Sequence, residues 1–206
     1  IVFGDWSSDV CSSDLGASFF MLNEEFQTAR IIYQSDSNRK RWIDIVATRE
    51  NQIEKDLYLR DFTVNSIAID LSDRNHIIDP FSGAIDLQKK YLKITSPTSI
   101  EDDPIRILRA IRLAVQFGWK ISPETIRSIR ENSEMLATVT NERKRDELFK
   151  IFDLPNPAIG LKIMKQLGVF RICFPEFDGS DPVGSLGADA EKCFDSLVYL
   201  IEKFVE

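Results

Sequence analysis

The sequence predicts an α+β fold in which a strand-rich part, ending near Pro97, is followed by an all-helical part. Before Pro97, short runs rich in aromatic and β-branched residues are separated by polar stretches, as in strands joined by turns. Beyond residue 98, apolar residues recur every three or four positions in successive segments, which indicates amphipathic helices. Strands followed by helices, rather than alternating with them, are typical of an α+β architecture.

The composition excludes several classes of protein. The chain has 206 residues, 43% of them hydrophobic, which suffices for one large domain or two small ones with real cores. No apolar run reaches the roughly 18 residues that a membrane-spanning helix needs. The three cysteines and one histidine show neither metal-ligand spacing nor a disulfide framework; they are Cys11, Cys173, Cys193 and His76. We therefore expect a cytoplasmic protein in a reducing compartment, with no membrane partner.

The charge is unevenly distributed along the chain. The formal net charge is −7, but residues 104–150 contain ten Lys and Arg against six Asp and Glu. Residues 171–206 contain eight acids and three bases. A basic centre between acidic ends means that the whole-chain charge does not exclude an RNA partner.

Residues 5–15 read DWSSDVCSSDL, which is either a Ser/Asp-rich loop or the translation of a common sequencing-adapter string. A chance match of this length is very rare. We therefore expect residues 1–15 to be non-native, exclude them from fold reasoning, and expect the natural protein to extend further upstream.

The strand pattern occurs first in three short runs, at residues 17–22, 29–34 and 42–47. Residues 51–62 predict a helix or helical turn. Residues 66–71 and 75–80 alternate around the turn SDRN, which predicts a hairpin. A short helix and a brief strand are expected within residues 82–94.

The helical pattern occurs in five segments, at residues 103–118, 122–136, 141–152, 156–167 and 189–205. Ser122 before Pro123, and Asn156 before Pro157, are typical of helix starts. Gly118 is expected to end the first of these helices.

That first helix carries Arg106, Arg109 and Arg112 along one side, and Asp103 stands three residues before Arg106. One interpretation is an amphipathic helix with a solvated arginine face and an intrahelical ion pair. The other is that the Asp103 carboxylate, an acceptor, and the Arg106 guanidinium, a donor, complement the edge of a nucleobase. Spacing alone does not choose between them.

Four motifs follow one another along the chain. Residues 60–65 read Arg-Asp-Phe-Thr-Val-Asn, and residues 79–83 read Asp-Pro-Phe-Ser-Gly. An Asp-Asp pair then precedes Arg106, and residues 142–150 contain Glu-Arg followed by Glu-Leu-Phe-Lys. In this order and spacing, over about residues 19–176, the motifs resemble the bacterial tRNA nucleotidyltransferase/poly(A) polymerase family of the class II CCA-adding type, which adds CCA or A to RNA 3′ ends.

The resemblance implies a domain organisation and a truncation at both ends. Residues 16–97 would form a partial nucleotidyltransferase head, a mixed sheet like that of polymerase β. Residues 98–170 would form an all-helical neck that binds RNA and nucleotide, and residues 171–206 would begin a helical body.

The resemblance also implies nucleotidyl transfer with two Mg²⁺ ions, which neutralise charge on the attacking and leaving oxygens. The family's first motif, a Gly-Gly turn followed by an Asp-x-Asp pair, is absent from this sequence. Asp44 occupies the position of a third acid and is expected to be a catalytic metal ligand; the alternative is a strand-surface or turn aspartate. We expect the chain as given to lack transfer activity, because its principal metal carboxylates are missing.

Arg60, Asp61 and Asn65 match the family's ribose and triphosphate contacts. An arginine fork suits phosphate oxygens, and a carboxylate or amide suits ribose hydroxyls. Leu59 stands where many relatives carry a second arginine. The alternative for Arg60 and Asp61 is a buried, purely structural pair.

Asp103 and Arg106, the base-selecting pair, match the residues with which the family chooses a base without a nucleic-acid template. Cytosine and adenine present an amine beside a ring acceptor, whereas guanine and uracil present the opposite order. The pair would therefore select CTP and ATP, because a wrong base leaves buried polar groups unsatisfied.

Four further cations and Arg109 complete the expected site. Arg109 would contact the nucleotide, and both Arg109 and Arg112 would neutralise phosphates or pack between head and neck. Arg143, Arg145 and Lys150 would support the helix of the base-selecting pair, with a solvated face as the alternative.

The resemblance thus predicts a template-independent enzyme that adds C and A to the tRNA 3′ end, with tRNA and nucleoside triphosphates as partners and no DNA. Poly(A) polymerase and enzymes that add only CC or only A share these motifs. A non-catalytic RNA-binding module of the same fold is an alternative of another class, and a helical protein-interaction domain is a remote one.

Overall fold

The computed structural model describes residues 18–23, 28–34, 39–46, 52–73, 76–175 and 190–205. These residues fall into two compact units, one up to Asp56 and one from Leu57 onward. The stretch predicted to be non-native, residues 1–15, lies outside the described residues. None of the described helices is long and apolar enough to cross a membrane.

The first unit contains a three-stranded antiparallel sheet in the order β1 (Ser18–Asn23), β2 (Thr28–Gln34) and β3 (Lys40–Val46). The three predicted strands are therefore confirmed. Arg30 of β2 lies directly opposite Asp44 of β3 in the register. Residues directly opposite in an antiparallel pair place their side chains close together on one face, which allows an ion pair between them.

The second unit begins with short elements, in the order α1 (Ile53–Tyr58, which starts before the division), a 3-10 turn (Thr63–Asn65), β4 (Ala68–Ile69), β5 (Ile77–Ile78), α2 (Gly83–Lys89) and β6 (Tyr91–Leu92). Strands β4 and β5 pair antiparallel, which confirms the predicted hairpin.

Helix α2 is packed closely against the 3-10 turn. The Asp79 carboxylate accepts hydrogen bonds from the backbone N–H groups of Gly83 (2.7 Å) and Ala84 (2.9 Å), which satisfies the open amide groups at the start of α2. A Cβ atom on Gly83 would lie 2.0 Å from the carbonyl oxygen of Thr63. The Thr63 hydroxyl donates to Asp86 at 2.8 Å. The Asp-Pro-Phe-Ser-Gly motif therefore braces the 3-10 turn that follows Asp61.

The remaining elements are α3 (Ser99–Asp102), α4 (Arg106–Phe117), β7 (Lys120–Ile121), α5 (Pro123–Asn132), a 3-10 helix (Ser133–Thr138), α6 (Asn141–Phe152), α7 (Pro157–Gln166), α8 (Phe170–Cys173) and α9 (Ala190–Val205). The Ser122 hydroxyl accepts from the Thr125 N–H at 3.1 Å and so caps α5, as predicted.

The prediction of a wholly helical second part is wrong at β7, which pairs in parallel with β6. A two-residue strand is too short to show a period of two, so the sequence pattern could not indicate it.

The helix predicted at residues 103–118 is also wrong at its start. Asp103 has an extended backbone (φ −151°, ψ 95°), and α4 begins at Arg106. The residue before a proline is disfavoured in the helical region, and Pro104 follows Asp103. The other end is confirmed, because Gly118 (φ 64°) adopts the left-handed conformation that ends α4.

Helix α4 lies at the centre of the hydrophobic core. Ile107, Leu108 and Ile111 are fully buried there, together with residues of α6 and α7. Phe62 and Leu92, which precede Pro97, are buried in the same core. The boundary near residue 97 stays a prediction, and the core described here includes residues from both of its sides.

Candidate functional site

A cavity of about 680 Å³ in the second unit collects residues from three of the four motifs. Arg60, Asp61 and Asn65 line it from the first motif. The same cavity is lined by Asp103, which precedes α4, by Arg106 and Arg109 of α4, and by Arg143 and Lys150 of α6. Its volume falls within the range of small-molecule sites. Arg112 and Arg145 do not line it, and Asp44 belongs to the first unit.

Asp61 is a buried carboxylate whose contacts are made within the protein. Oδ2 accepts from Arg109 at 2.6 Å (Nη2) and 3.0 Å (Nε), and Oδ1 accepts from the Asn65 amide (3.0 Å) and the Phe62 N–H (2.9 Å). Burial alone would raise the pKa of Asp61, but these hydrogen bonds outweigh it and the pKa is lowered. Asp61 therefore stays ionised and holds Arg109 and Asn65 at the cavity wall.

Glu147 of α6 is a second buried carboxylate. It accepts from Arg112 Nε at 2.8 Å and from Lys150 Nζ at 2.9 Å, and Arg109 Nη1 lies 4.0 Å away. Burial favours a raised pKa here too, but the hydrogen bonds from Lys150 and Arg112 lower the pKa of Glu147. Sequence reasoning did not name Glu147 as a site residue, although its place in the fourth motif was a signal.

Arg106 is anchored on the backbone of neighbouring segments. Its Nη2 donates to the Leu59 carbonyl at 2.7 Å, and its Nη1 donates to the Ser99 carbonyl at 3.1 Å and the Ser99 hydroxyl at 2.9 Å. A guanidinium carries five N–H donors, and within the described part of the chain the Nε–H of Arg106 makes no hydrogen bond. No sequence signal pointed to Ser99.

Asp103 does not form the intrahelical ion pair with Arg106 that the spacing allowed. Its Oδ2 accepts from Arg143 Nη2 at 2.9 Å. Among the described residues, no side chain or backbone N–H donates to Oδ1 of Asp103. One carboxylate oxygen is thus held by Arg143, and the other has no protein partner there.

The other predicted cations differ in their surroundings. Arg60 is exposed at the cavity and donates from Nη1 to the Asn65 carbonyl at 3.3 Å. Arg112 contacts Glu147 and Gln116. Arg145 is exposed and paired with its neighbour Asp146 at 3.1 Å, an arrangement that matches a solvated helix face.

Asp44 forms a two-point ion pair with Arg30 on the surface of the sheet, at 2.6 Å (Nε to Oδ1) and 2.8 Å (Nη2 to Oδ2). The hydrogen bond from Arg30 lowers the pKa of Asp44. Within the described ranges, no group of three or more His, Cys, Asp or Glu side chains could hold a metal ion. The described residues therefore do not form a two-Mg²⁺ site, and metal binding by Asp44 stays a prediction.

Comparison with known families finds two matches along the chain. A model of the poly(A) polymerase head domain matches residues 15–93. A model described as the probable RNA- and SrmB-binding site of polymerase A matches residues 118–180.

Curated relatives share substantial identity over part of their length. The CC-adding tRNA nucleotidyltransferase of Geobacter sulfurreducens is 35% identical over 177 residues, which are 84% of this chain and 40% of the relative. The multifunctional CCA protein of Actinobacillus pleuropneumoniae is 40% identical over 131 residues, 61% of this chain and 31% of the relative. The chain thus spans less than half of either relative.

Solved structures of CCA-adding enzymes are similar to this chain in fold and in sequence. The Thermotoga maritima CCA-adding enzyme complexed with tRNA is 31% identical, with a TM-score of 0.71 over 96% of this chain and 47% of that one. A CCA-adding enzyme complexed with ATP gives 31% identity and a TM-score of 0.72, over 96% and 48% of the two chains.

Proposed function

The chain belongs to the tRNA nucleotidyltransferase/poly(A) polymerase family, and on this premise we propose that its cavity binds the nucleotide that the complete enzyme adds to a tRNA 3′ end. The reaction is template-independent addition of C and A from CTP and ATP. The observation that supports this best is that three motifs far apart in the sequence line one cavity. The motifs are defined by sequence alone, so their convergence on one cavity is independent support for the proposal.

The phosphates and ribose are assigned to the wall formed by residues 60–65. Arg60 and Arg109 present guanidinium groups there, and Lys150 adds a third cation. Guanidinium groups bind phosphate oxygens in a forked geometry. The Asp61 carboxylate is occupied by Arg109 and Asn65, so its role is to hold those two side chains, and the Asn65 amide is the group that remains for a ribose hydroxyl.

Base selection is assigned to Asp103 and Arg106. Oδ1 of Asp103 would accept a hydrogen bond from the amine of cytosine or adenine, and the Nε side of Arg106 would donate to the adjacent ring acceptor. Uracil and guanine would place a carbonyl oxygen against the carboxylate. A base that covers these groups and leaves them unpaired costs about 1–3 kcal/mol for each group, which is sufficient for strong discrimination.

The chemistry of the family's two Mg²⁺ ions is not assigned to the residues described here, because they do not form such a site. Asp44 is proposed as one carboxylate ligand of the complete enzyme. Its pair with Arg30 would have to open for that.

The first relative described above is a CC-adding enzyme and the second is a multifunctional CCA protein, so the number and kind of nucleotides added is a separate question. The test is incorporation of each labelled nucleoside triphosphate into tRNA that lacks its 3′ end, by the protein encoded by the complete gene. We expect C and A to be added, in that order. Addition of C alone supports a CC-adding enzyme, addition of long A tracts supports a poly(A) polymerase, and RNA binding without any addition supports a non-catalytic module.

A further inference from the structure

Ser99 is a buried serine whose hydroxyl connects two walls of the cavity. Its side chain is fully buried at the first position of α3. Its Oγ donates to the backbone carbonyl of Asp61 at 3.1 Å and accepts from Arg106 Nη1 at 2.9 Å. The hydroxyl therefore bridges the proposed ribose and phosphate wall and the proposed base-selecting guanidinium.

The geometry leaves the Ser99 hydroxyl little freedom. A hydroxyl has one hydrogen to donate, and here the Asp61 carbonyl receives it. The lone pairs are then directed away from Asp61, and one of them faces Arg106. Burial makes both bonds costly to leave unmade, because no water replaces a lost partner.

The Ser99 contact also determines which donors of Arg106 remain for a ligand. Within the described residues, Nη1 of Arg106 is held by the Ser99 hydroxyl and by the Ser99 and Arg60 carbonyls, the last at 3.4 Å. Nη2 is held by the Leu59 carbonyl. The Nε–H side is left for a ligand. If the Ser99 hydroxyl were absent, one of the bonds that fix the plane of the guanidinium would be lost.

We propose that Ser99 is a positioning residue for base selection, acting through Arg106 and not on the nucleotide itself. This inference rests on the proposed function, since it requires that Arg106 reads the base. Among the described residues, Ser133 is also buried but lacks this connection, because its hydroxyl donates to the nearby Arg130 carbonyl at 3.3 Å.

The test is equilibrium binding of CTP, ATP, UTP and GTP, each measured by calorimetry on the 206-residue chain. Ser99→Ala is expected to weaken CTP and ATP binding about fivefold and to leave UTP and GTP within about twofold, the size of one lost hydrogen bond. Ser99→Thr retains the hydroxyl and should restore most of the affinity. Ser133→Ala is the control: it removes another buried hydroxyl, one that bonds to the Arg130 carbonyl, and should change none of the four affinities. If Ser99→Ala does not fold, Ser99→Cys is used instead, because it fills the site with a slightly larger side chain that is a much weaker acceptor, and the same loss of CTP and ATP binding is expected.

The double variant Ser99→Ala/Arg106→Ala shows whether Ser99 acts through Arg106. If it does, the double variant binds all four nucleotides as Arg106→Ala does. An additional loss in the double variant, or an equal loss for all four nucleotides in Ser99→Ala, would overturn the inference.

The same measurements separate the inference from its premise. If Arg106→Ala leaves the preference for CTP and ATP intact, or if no nucleotide binds, the proposed function is wrong. If Arg106→Ala removes the preference and Ser99→Ala does not reduce it, only the role of Ser99 is wrong.

Discussion

At the scale of single residues, Glu147 is the carboxylate on which the cations of α4 and α6 converge. It is only 5% exposed and accepts hydrogen bonds from Arg112 and Lys150. Its neighbour Asp146 is exposed and, within the described ranges, forms an ion pair with the exposed Arg145. Two adjacent acids on one helix therefore differ in burial and in the number of cations they hold. Neither the spacing nor the charge of the residues in the sequence could indicate this difference.

Glu147→Ala should destabilise the chain by about 2–3 kcal/mol, because it leaves the largely buried Arg112 guanidinium without its carboxylate partner, although the Gln116 amide oxygen still accepts from Arg112. The Lys150 side chain is largely exposed, which keeps the cost below that of a fully buried ion pair. Asp146→Ala is the matched control and should cost less than about 0.5 kcal/mol, as expected for an exposed pair. Urea unfolding followed by circular dichroism measures both. Equal stabilities of the two variants would show that the contacts of Glu147 with Arg112 and Lys150 contribute no more to the free energy of unfolding than an exposed ion pair does.

At the scale of elements, the contact of α2 with the 3-10 turn (Thr63–Asn65) supports the segment that carries Asp61 and Asn65. The Asp-Pro-Phe-Ser-Gly motif was recognised from the sequence, but its physical role was not. That role depends on the close contact of Gly83 with the backbone carbonyl of Thr63, which lies twenty residues earlier in the chain. A local sequence pattern cannot indicate a contact between residues so far apart.

Gly83→Ala should destabilise the chain by about 3 kcal/mol, because its Cβ would lie 2.0 Å from the Thr63 carbonyl oxygen and neither backbone can yield cheaply. Gly118→Ala is the control. Nothing lies within 4 Å of its Cβ, and only the left-handed conformation (φ 64°) is penalised, at about 1 kcal/mol. Thermal unfolding compares the two variants, and a smaller loss for Gly83→Ala than for Gly118→Ala would contradict the brace.

The elements also show where sequence reasoning succeeds and fails. Long segments with a clear period, such as α6 and the three strands of the sheet, could be predicted. The helix α4 was predicted to begin at Asp103, three residues too early, because Asp103 stands at the same three-residue interval before Arg106 as the arginines that follow. The short helix α3 was not predicted, and Pro104 was the signal that Asp103 is not helical. For the site, motifs identified residues such as Arg60 and Arg106, but they could not identify Ser99, whose partners lie 38 and 7 residues away.

At the scale of the whole molecule, buried ionised carboxylates make stability depend on pH. The pKa values of Asp61 and Glu147 are both lowered in the folded protein. In the unfolded chain they return to about 3.9 and 4.3. A lowered folded pKa contributes stability that is fully present above the unfolded pKa and is lost as pH falls through the folded pKa.

We therefore expect the free energy of unfolding to be nearly constant from about pH 7 to pH 5 and to fall below about pH 4. Glu147→Gln should lower stability at neutral pH and make the acid decline shallower, because one depressed carboxylate no longer titrates. Urea unfolding at a series of pH values tests this. An unchanged slope in the variant would show that Glu147 does not contribute to the decline.

The central claim is that Asp103 and Arg106 choose the base, whereas Arg60 binds the part that all nucleotides share. The decisive measurement is kcat/KM for CTP, ATP, UTP and GTP in the complete protein and in its Asp103→Ala and Arg60→Ala variants. Asp103→Ala should lower kcat/KM for CTP and ATP by about tenfold, the equivalent of one base-edge contact, and leave UTP and GTP nearly unchanged. Arg60→Ala should lower all four by a similar factor, because phosphates carry no base information. If Asp103→Ala lowers all four equally, Asp103 serves only as the ion-pair partner of Arg143, and the assignment of base selection is wrong.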